Sequence, residues 1–257
     1  MNSNNKRILI VDFTNFYGGG QKFIKNLQIL LSEELIFSFA ISNQKLIDQL
    51  ENREILRLKS SLFYVFNEIH KINTFIKKNN IKYVILNGNR PIYFSFLLTK
   101  KVKKIAYRHT SCNAYNNIFK KIFIISILNF NYLFCYRIVI LYKKAINEIF
   151  LSKTRVRVIA NPIILKNKME YPKTILNKDI ITLLVITRID PDKGLEWLID
   201  CFSKLNTITK QKIQLKIAGI GPFKDQIENQ IKKLNLKNVH LLGFVDDVSF
   251  LLKNSDI

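Results

Sequence analysis

Apolar and polar positions alternate along the chain in two rhythms. Short, nearly unbroken apolar runs at Arg7–Phe13, Ile36–Ile41, Tyr83–Asn87, Lys104–Arg108 and Arg137–Leu141 predict strands covered on both faces. Glu54–Leu58 and Val156–Ile159 extend that series. Amphipathic stretches between them predict helices over 21–33, 62–78, near 91–99, over 116–133 and 143–151. In the second of these, Leu62, Val65, Phe66, Ile69, Ile72 and Ile76 fall on one face. The rhythm pauses over 164–179, a polar stretch holding Pro172, and then resumes. Strands at Ile180–Thr187, Ile213–Ala218 and Val239–Leu242 lead to helices over 194–206, 223–235 and near 246–253. Ser255-Asp256-Ile257 reads as the start of a further strand.

Strand–helix units with apolar strands predict an α/β chain with parallel sheets. Its parts are a Rossmann-like domain over 1–163, a linker over 164–179, and a second, incomplete Rossmann-like domain over 180–257. The chain has 257 residues, enough for a core in each. From Ile122 to Tyr142 the only formal charge is Arg137, so the length and apolarity could suit a membrane span. Asn129 and Asn131 interrupt that run, and it divides into a helix followed by the strand at Tyr136–Leu141. Shallow interfacial contact by the helix is the expectation instead.

The formal charge is +22. Residues 1–162 hold 26 Lys and Arg against 8 Asp and Glu, while 163–257 hold 15 against 11. Abundant Asn and Ile point to an AT-rich gene, which explains part of the lysine excess. The rest suggests a surface for anionic lipid or an acidic substrate, with Lys100, Lys101, Lys103 and Lys104 as the local candidate. Nucleic acid is not expected as a partner, since no recognition helix, zinc finger or RNA-binding aromatic signature is present. Three cysteines, Cys112, Cys135 and Cys201, lack zinc-ligand spacing and fit a reducing compartment. The apolar run Ile8–Val11 is too short for a signal peptide, so a cytoplasmic location is expected.

Candidate chemistry gathers at strand ends. Gly18-Gly19-Gly20 lies between the first strand and the first helix, where glycines let backbone approach a ligand and expose N–H groups. It is neither a dinucleotide fingerprint nor a P-loop, and a plain tight turn would use the same residues. His109 follows a strand, at the edge where parallel sheets bind ligands; His70 and His240 fall on a helix and a strand and read as structural or surface residues. In Thr187–Gly194, Arg188 and Lys193 can face one anion before a helix N-terminus, which suits a diphosphate leaving group. The bland alternative is a charged turn with a solvated lysine. Gly219-Ile220-Gly221-Pro222 and Leu242-Gly243-Phe244-Val245 form two more turns on the same edge. Asp246-Asp247 reads more simply as a helix cap than as a Mg²⁺ ligand pair. No metal or cofactor is expected.

In order along the chain stand the glycine turn at 18–20, YRHT at 107–110, VRVIANPI at 156–163, LLVITRIDPDKG at 183–194, LKIAGIGP at 215–222 and VHLLGFVDDV at 239–248. This series resembles glycosyltransferase family 4, the group 1 glycosyltransferases of GT-B architecture, over essentially all 257 residues. The resemblance implies two Rossmann-like domains, an acceptor side and a nucleotide-sugar side. It implies Arg188 and Lys193 on the donor diphosphate, and Gly19 and Gly20 beside the donor phosphates and the acceptor, with Gly219 and Gly221 in loops near them. His109 would meet the transferred sugar, and Phe244 and Val245 the nucleotide base. Retention of configuration without a metal is also implied. The expected reaction moves a sugar to a lipid-linked cell-surface glycan such as lipopolysaccharide or capsule, with peripheral attachment at the inner face of the plasma membrane. The family's pair of glutamates eight residues apart has no counterpart in these residues. A truncated, inactive remnant is therefore a competing expectation, beside a nucleotide-sugar 2-epimerase and a basic nucleic-acid-binding module.

Overall fold

The computed structural model describes residues 6–50, 54–112, 117–162, 164, 180–208, 212–245 and 248–257, the side chains of Leu62 and Asn206 aside. The chain divides into two compact units, Met1–Ile164 and Leu165–Ile257. Most of the stretch expected to be a linker, 165–179, lies outside the described residues, as do Asp246 and Asp247.

In the first unit the elements run β1 (Lys6–Asp12), α1 (Gly19–Leu31), β2 (Leu35–Ile41), α2 (Gln44–Gln49), β3 (Glu54–Arg57), α3 (Val65–Lys78), β4 (Tyr83–Asn87), α4 (Asn89–Ile92), β5 (Lys103–Arg108), α5 (Ile118–Tyr132), β6 (Arg137–Ile140) and β7 (Val156–Val158). The strands form one parallel sheet in the order β3-β2-β1-β4-β5-β6-β7. Strand residues point alternately to its two faces. Leu9 and Val11 of β1 join a core with Ile72, Leu86 and Tyr132. Ile8 and Ile10 join another with Phe23, Phe39 and Tyr107. Strand order reverses between β1 and β4, and ligands of such sheets bind outside the carboxyl ends at that point. Asp12 and Asn87 are the last residues of those two strands.

The second unit has β8 (Ile180–Ile186), α6 (Leu195–Ile208), β9 (Lys212–Ala218), α7 (Lys224–Lys233), β10 (Val239–Gly243) and α8 (Ser249–Lys253). Its sheet is parallel, in the order β10-β9-β8, over a core of Ile199, Phe202, Leu215, Ile217 and Ile227. Beyond β8, the Asp256 N–H donates to Thr182 O at 2.9 Å and the Leu184 N–H to Ile257 O at 2.8 Å. The last residues thus begin a pairing on the free side of β8, as the Ser255–Ile257 pattern predicted.

Several expectations are corrected. Gly19 and Gly20 form the first turn of α1 rather than preceding a helix at 21. Phe66 is exposed, because each residue turns a helix by about 100° and carries it off the face of Val65, Ile69, Ile72 and Ile76. The helix expected near 91–99 is α4 plus a 3-10 turn at Ser95–Leu97. It stops because Asn73 of α3 takes the Leu97 carbonyl at 3.1 Å and the Thr99 N–H at 2.9 Å. The helix expected over 143–151 is a 3-10 turn, Lys143–Glu148. Asn129 of α5 ends it by donating to Glu148 O at 2.9 Å and accepting from the Phe150 N–H at 2.8 Å. Lys104 is no surface cation. It is buried, and its Nζ donates to the Ser95 and Leu98 carbonyls at 2.9 and 2.7 Å; burial lowers its pKa. Among the described residues no helix is long and apolar enough to cross a membrane.

Candidate functional site

The loop after β5 is held by buried charge. Arg108 is fully buried, pairs with Glu148, and donates from Nε to Thr110 O at 2.7 Å. Both Glu148 oxygens accept from the Cys112 N–H at 3.1 Å, and Ser111 Oγ adds a further bond. One carboxylate thus fixes residues 108–112, and with them the backbone that carries His109.

The His109 ring stands in a second network. Its Nε2 lies 2.7 Å from Asn87 Oδ1. Asn87 Nδ2 reaches Asp12 Oδ2 at 2.7 Å and Gly20 O at 3.4 Å. Asp12 also accepts from Gln21 Nε2 at 2.9 Å and from the Thr14 N–H at 2.6 Å. Gln21 Oε1 in turn accepts from the Gly18 N–H at 3.0 Å, which ties the glycine turn to the end of β1. Phe23 meets the ring edge-on at 5.3 Å, and Tyr107 is tilted against it at 5.1 Å. A Cβ on Gly20 would stand 3.5 Å from His109. Burial lowers the His109 pKa to about 4, so the ring is neutral near pH 7. Burial also raises the Asp12 pKa, against four hydrogen-bond contributions that favour its charge.

The structure therefore joins His109 and Gly20, two predicted residues, to Asp12, Gln21 and Asn87, which sequence reasoning missed. The rule that selected His109, a polar residue at a carboxyl strand end, would also have selected Asp12 and Asn87. Gly19 has open space where a Cβ would stand. The Asn161 side chain reaches this cluster too, accepting from Tyr107 Oη at 3.2 Å, while Asn26 of α1 donates to Pro162 O at 2.9 Å.

In the second unit the loops after β8, β9 and β10 are knitted together. The Thr187 N–H donates to Ala218 O, Ile189 N–H to Ile220 O, and Gly219 N–H to Gly243 O, at 3.0, 3.0 and 2.7 Å. A Cβ on Gly219 would lie 1.8 Å from Thr187 O, and one on Gly221 2.0 Å from Ile189 O. Only glycine fits either position. Arg188, half exposed, pairs with buried Asp190, and Lys193 Nζ lies 3.1 Å from Asp192. Gly194, at φ +67°, turns the chain into α6. Phe244 is exposed beside Val245 at the end of β10. The edge thus offers two cations on a rigid turn ahead of a helix.

A hollow of about 790 Å³, lined by Lys77, Lys82, Lys101 and Lys103 among others, opens at the amino-terminal ends of β4 and β5. It lies at the opposite sheet edge from His109 and, apart from Lys101 and Lys103 of the basic cluster, holds none of the candidate residues.

Residues 168–257 match the family model of the glycosyl transferases group 1. No curated protein matches the sequence. Among solved structures, Anabaena Alr3699/HepE in complex with UDP and glucose is similar at 14% identity, with 98% of this chain and 73% of that chain covered and a TM-score of 0.76. A glycosyltransferase from Rickettsia africae ESF-5 aligns at 19% identity, 98% and 72% coverage, and TM-score 0.70. The lipopolysaccharide outer core galactosyltransferase WaaB aligns at 16%, 97% and 70%, with TM-score 0.68. The group 1 glycosyl transferase match thus covers residues 168–257, and nearly the whole chain shares the fold of these solved glycosyltransferases.

Proposed function

We propose that the chain transfers a hexose or amino-hexose from a nucleotide-diphosphate sugar to a lipid-linked cell-surface glycan, with retention of configuration and without a metal. The observation that carries this reading is the Arg188–Lys193 turn at the carboxyl end of β8, held by Gly219 and Gly221. A departing nucleoside diphosphate gains negative charge as the glycosidic bond breaks. Two cations on a preorganised turn stabilise that charge with little reorganisation. Asp190 and Asp192 hold the same cations within the loop, and the diphosphate would exchange for them. Phe244 and Val245 would border the base, Gly19 and Gly20 the phosphates and acceptor, and His109 the transferred sugar. That HepE is seen with UDP and glucose, and that WaaB is named a lipopolysaccharide galactosyltransferase, supports a nucleotide-sugar donor and a surface glycan.

Calorimetric titration of the chain with UDP and a panel of nucleotide-diphosphate sugars tests the donor assignment. Arg188→Ala and Lys193→Ala should each weaken binding, and should slow transfer on the order of 10²-fold. Unchanged affinity and turnover in both variants would remove the diphosphate role. Product analysis without an acceptor separates transfer from epimerisation.

The membrane part of the reading rests on α5. Phe119, Ile122, Phe123, Phe130, Leu133 and Phe134 are exposed along one stripe of that helix and its cap, and the helix carries no acidic residue. Phe119 is 80% and Phe123 65% exposed. Lys120 and Lys121 flank the stripe at one end; at the other, Arg155 donates to the Leu133 and Cys135 carbonyls. An apolar stripe with cations at both ends suits an anionic bilayer. The chain should float with anionic vesicles and stay behind with zwitterionic ones, and Phe119→Ser with Phe123→Ser should abolish flotation. Equal recovery with both vesicle types would sink the membrane assignment.

A further inference from the structure

His109 ends in an asymmetry that the proposed transfer does not by itself explain. One ring nitrogen is bonded to Asn87, whereas Nδ1 is buried and has no hydrogen-bond partner among the described residues. A buried polar atom without a partner costs about 1–3 kcal/mol, and native structures hold few of them.

The polarity of the network can be followed from groups that have no choice. A backbone N–H can only donate, so Gly18 fixes Gln21 Oε1 as an acceptor and turns Gln21 Nε2 toward Asp12. A backbone carbonyl can only accept, so Gly20 O requires the Asn87 amide nitrogen on its side. Asp12 Oδ2 draws the other hydrogen of that nitrogen. Two acceptors therefore hold Asn87 in one orientation, and its Oδ1 faces His109. An amide oxygen cannot donate, so Nε2 must carry the proton. Because burial keeps the ring neutral, Nδ1 is left with a bare lone pair.

We infer that Asp12 and Asn87 are positioning residues that hold His109 in its Nε2-protonated tautomer, so that Nδ1 accepts a hydrogen bond from a hydroxyl of the transferred sugar. The inference rests on the reading that His109 meets that sugar. It sharpens the reading by stating which way the bond runs. The partner must be a donor, so a deoxy or O-methylated sugar at that position is a poor substrate. The opposite tautomer would set two lone pairs against each other at Asn87 and present a hydrogen where the sugar needs an acceptor.

The test is long-range ¹H–¹⁵N correlation spectroscopy on histidine-labelled protein. There are three histidines, and His109→Gln assigns the signal. At neutral pH the wild type should show a protonated Nε2 and an unprotonated Nδ1. Asn87→Leu, similar in size but without the acceptor, should give a mixture of tautomers; Asn87→Ala serves if the leucine variant does not fold. Unmoved His70 and His240 signals report that the fold is kept. In a transfer assay the folded Asn87 variant should lower kcat at least tenfold while donor Kd changes less than threefold. An Nδ1-protonated ring in the wild type, or a tautomer unchanged by loss of Asn87, overturns the inference. If the tautomer is as stated but His109→Gln leaves turnover unchanged, the sugar-facing role of His109 has failed and the Asn87 relay stands as structural only.

Discussion

The two glycine-bearing edges of this molecule solve different problems. In the first unit, Gly18–Gly20 sits over a buried network in which Asp12, Asn87 and His109 are locked by single-purpose hydrogen bonds. In the second, Gly219 and Gly221 bring three loops into backbone contact, and the cations they support remain partly exposed. The first edge fixes the direction of a hydrogen bond. The second fixes the place of exchangeable charge. Glycine means packing against the His109 and Asn87 side chains in one and loop-to-loop packing in the other, and the same letters in the sequence do not tell these apart.

The largest expected effect breaks the second edge. Gly219→Ala or Gly221→Ala drives a Cβ to 1.8 or 2.0 Å from a carbonyl oxygen, with no flexible side chain to yield. Either should unfold the second unit or move its loops enough to abolish donor binding. Gly19→Ala, which meets nothing within 4 Å, should shift stability by no more than about 1 kcal/mol. Thermal melts of the three variants check this, and a Gly219→Ala melt like the wild type would refute the contact argument. The next effect falls on the first edge. Glu148→Ala leaves Arg108 charged and buried without its partner, which costs about 3–5 kcal/mol. Denaturant titration measures it, and a loss under about 1 kcal/mol would show that the pair is not what holds the His109 loop.

Much of the architecture was legible because strands of a parallel sheet bury both faces and announce themselves as apolar runs. The runs at Ile36–Ile41 and Tyr83–Asn87 lie within β2 and β4 with little error. The two helix misses share one cause. The stretches near 91–99 and 143–151 have helical spacing, yet Asn73 and Asn129, side chains from other helices, take the backbone groups that would have continued each turn. Such competition arises only after packing, so local pattern cannot report it. Lys104 reads as a surface cation because charge usually means solvent, and two carbonyls at Ser95 and Leu98 reverse that. Strand-end position singles out His109, and Asp12 and Asn87 share that position. Lone polar residues at strand ends look like ordinary turn residues until β1, β4 and β5 are set side by side.

A last prediction separates the edges by pH. His109 has its folded pKa lowered from 6.5 to about 4, so the folded state resists a proton that the unfolded chain accepts. The stability this group contributes is complete above pH 6.5 and is lost as the pH falls from 6.5 toward 4. At about pH 4.5 the loss should be on the order of 2 kcal/mol. Asp12 acts in the opposite direction, since its raised pKa makes the folded state the better proton acceptor on acidification. The net slope of the wild type is therefore shallower than His109 alone would give. His109→Gln, which cannot be protonated, should leave only the Asp12 contribution and the background of the chain. Urea titrations of both proteins at pH 7 and pH 4.5 should show the wild type losing more stability, by about that margin. Equal losses would mean that the His109 ring is open to water in the folded state, and the first edge would then resemble the second in being solvated and exchangeable.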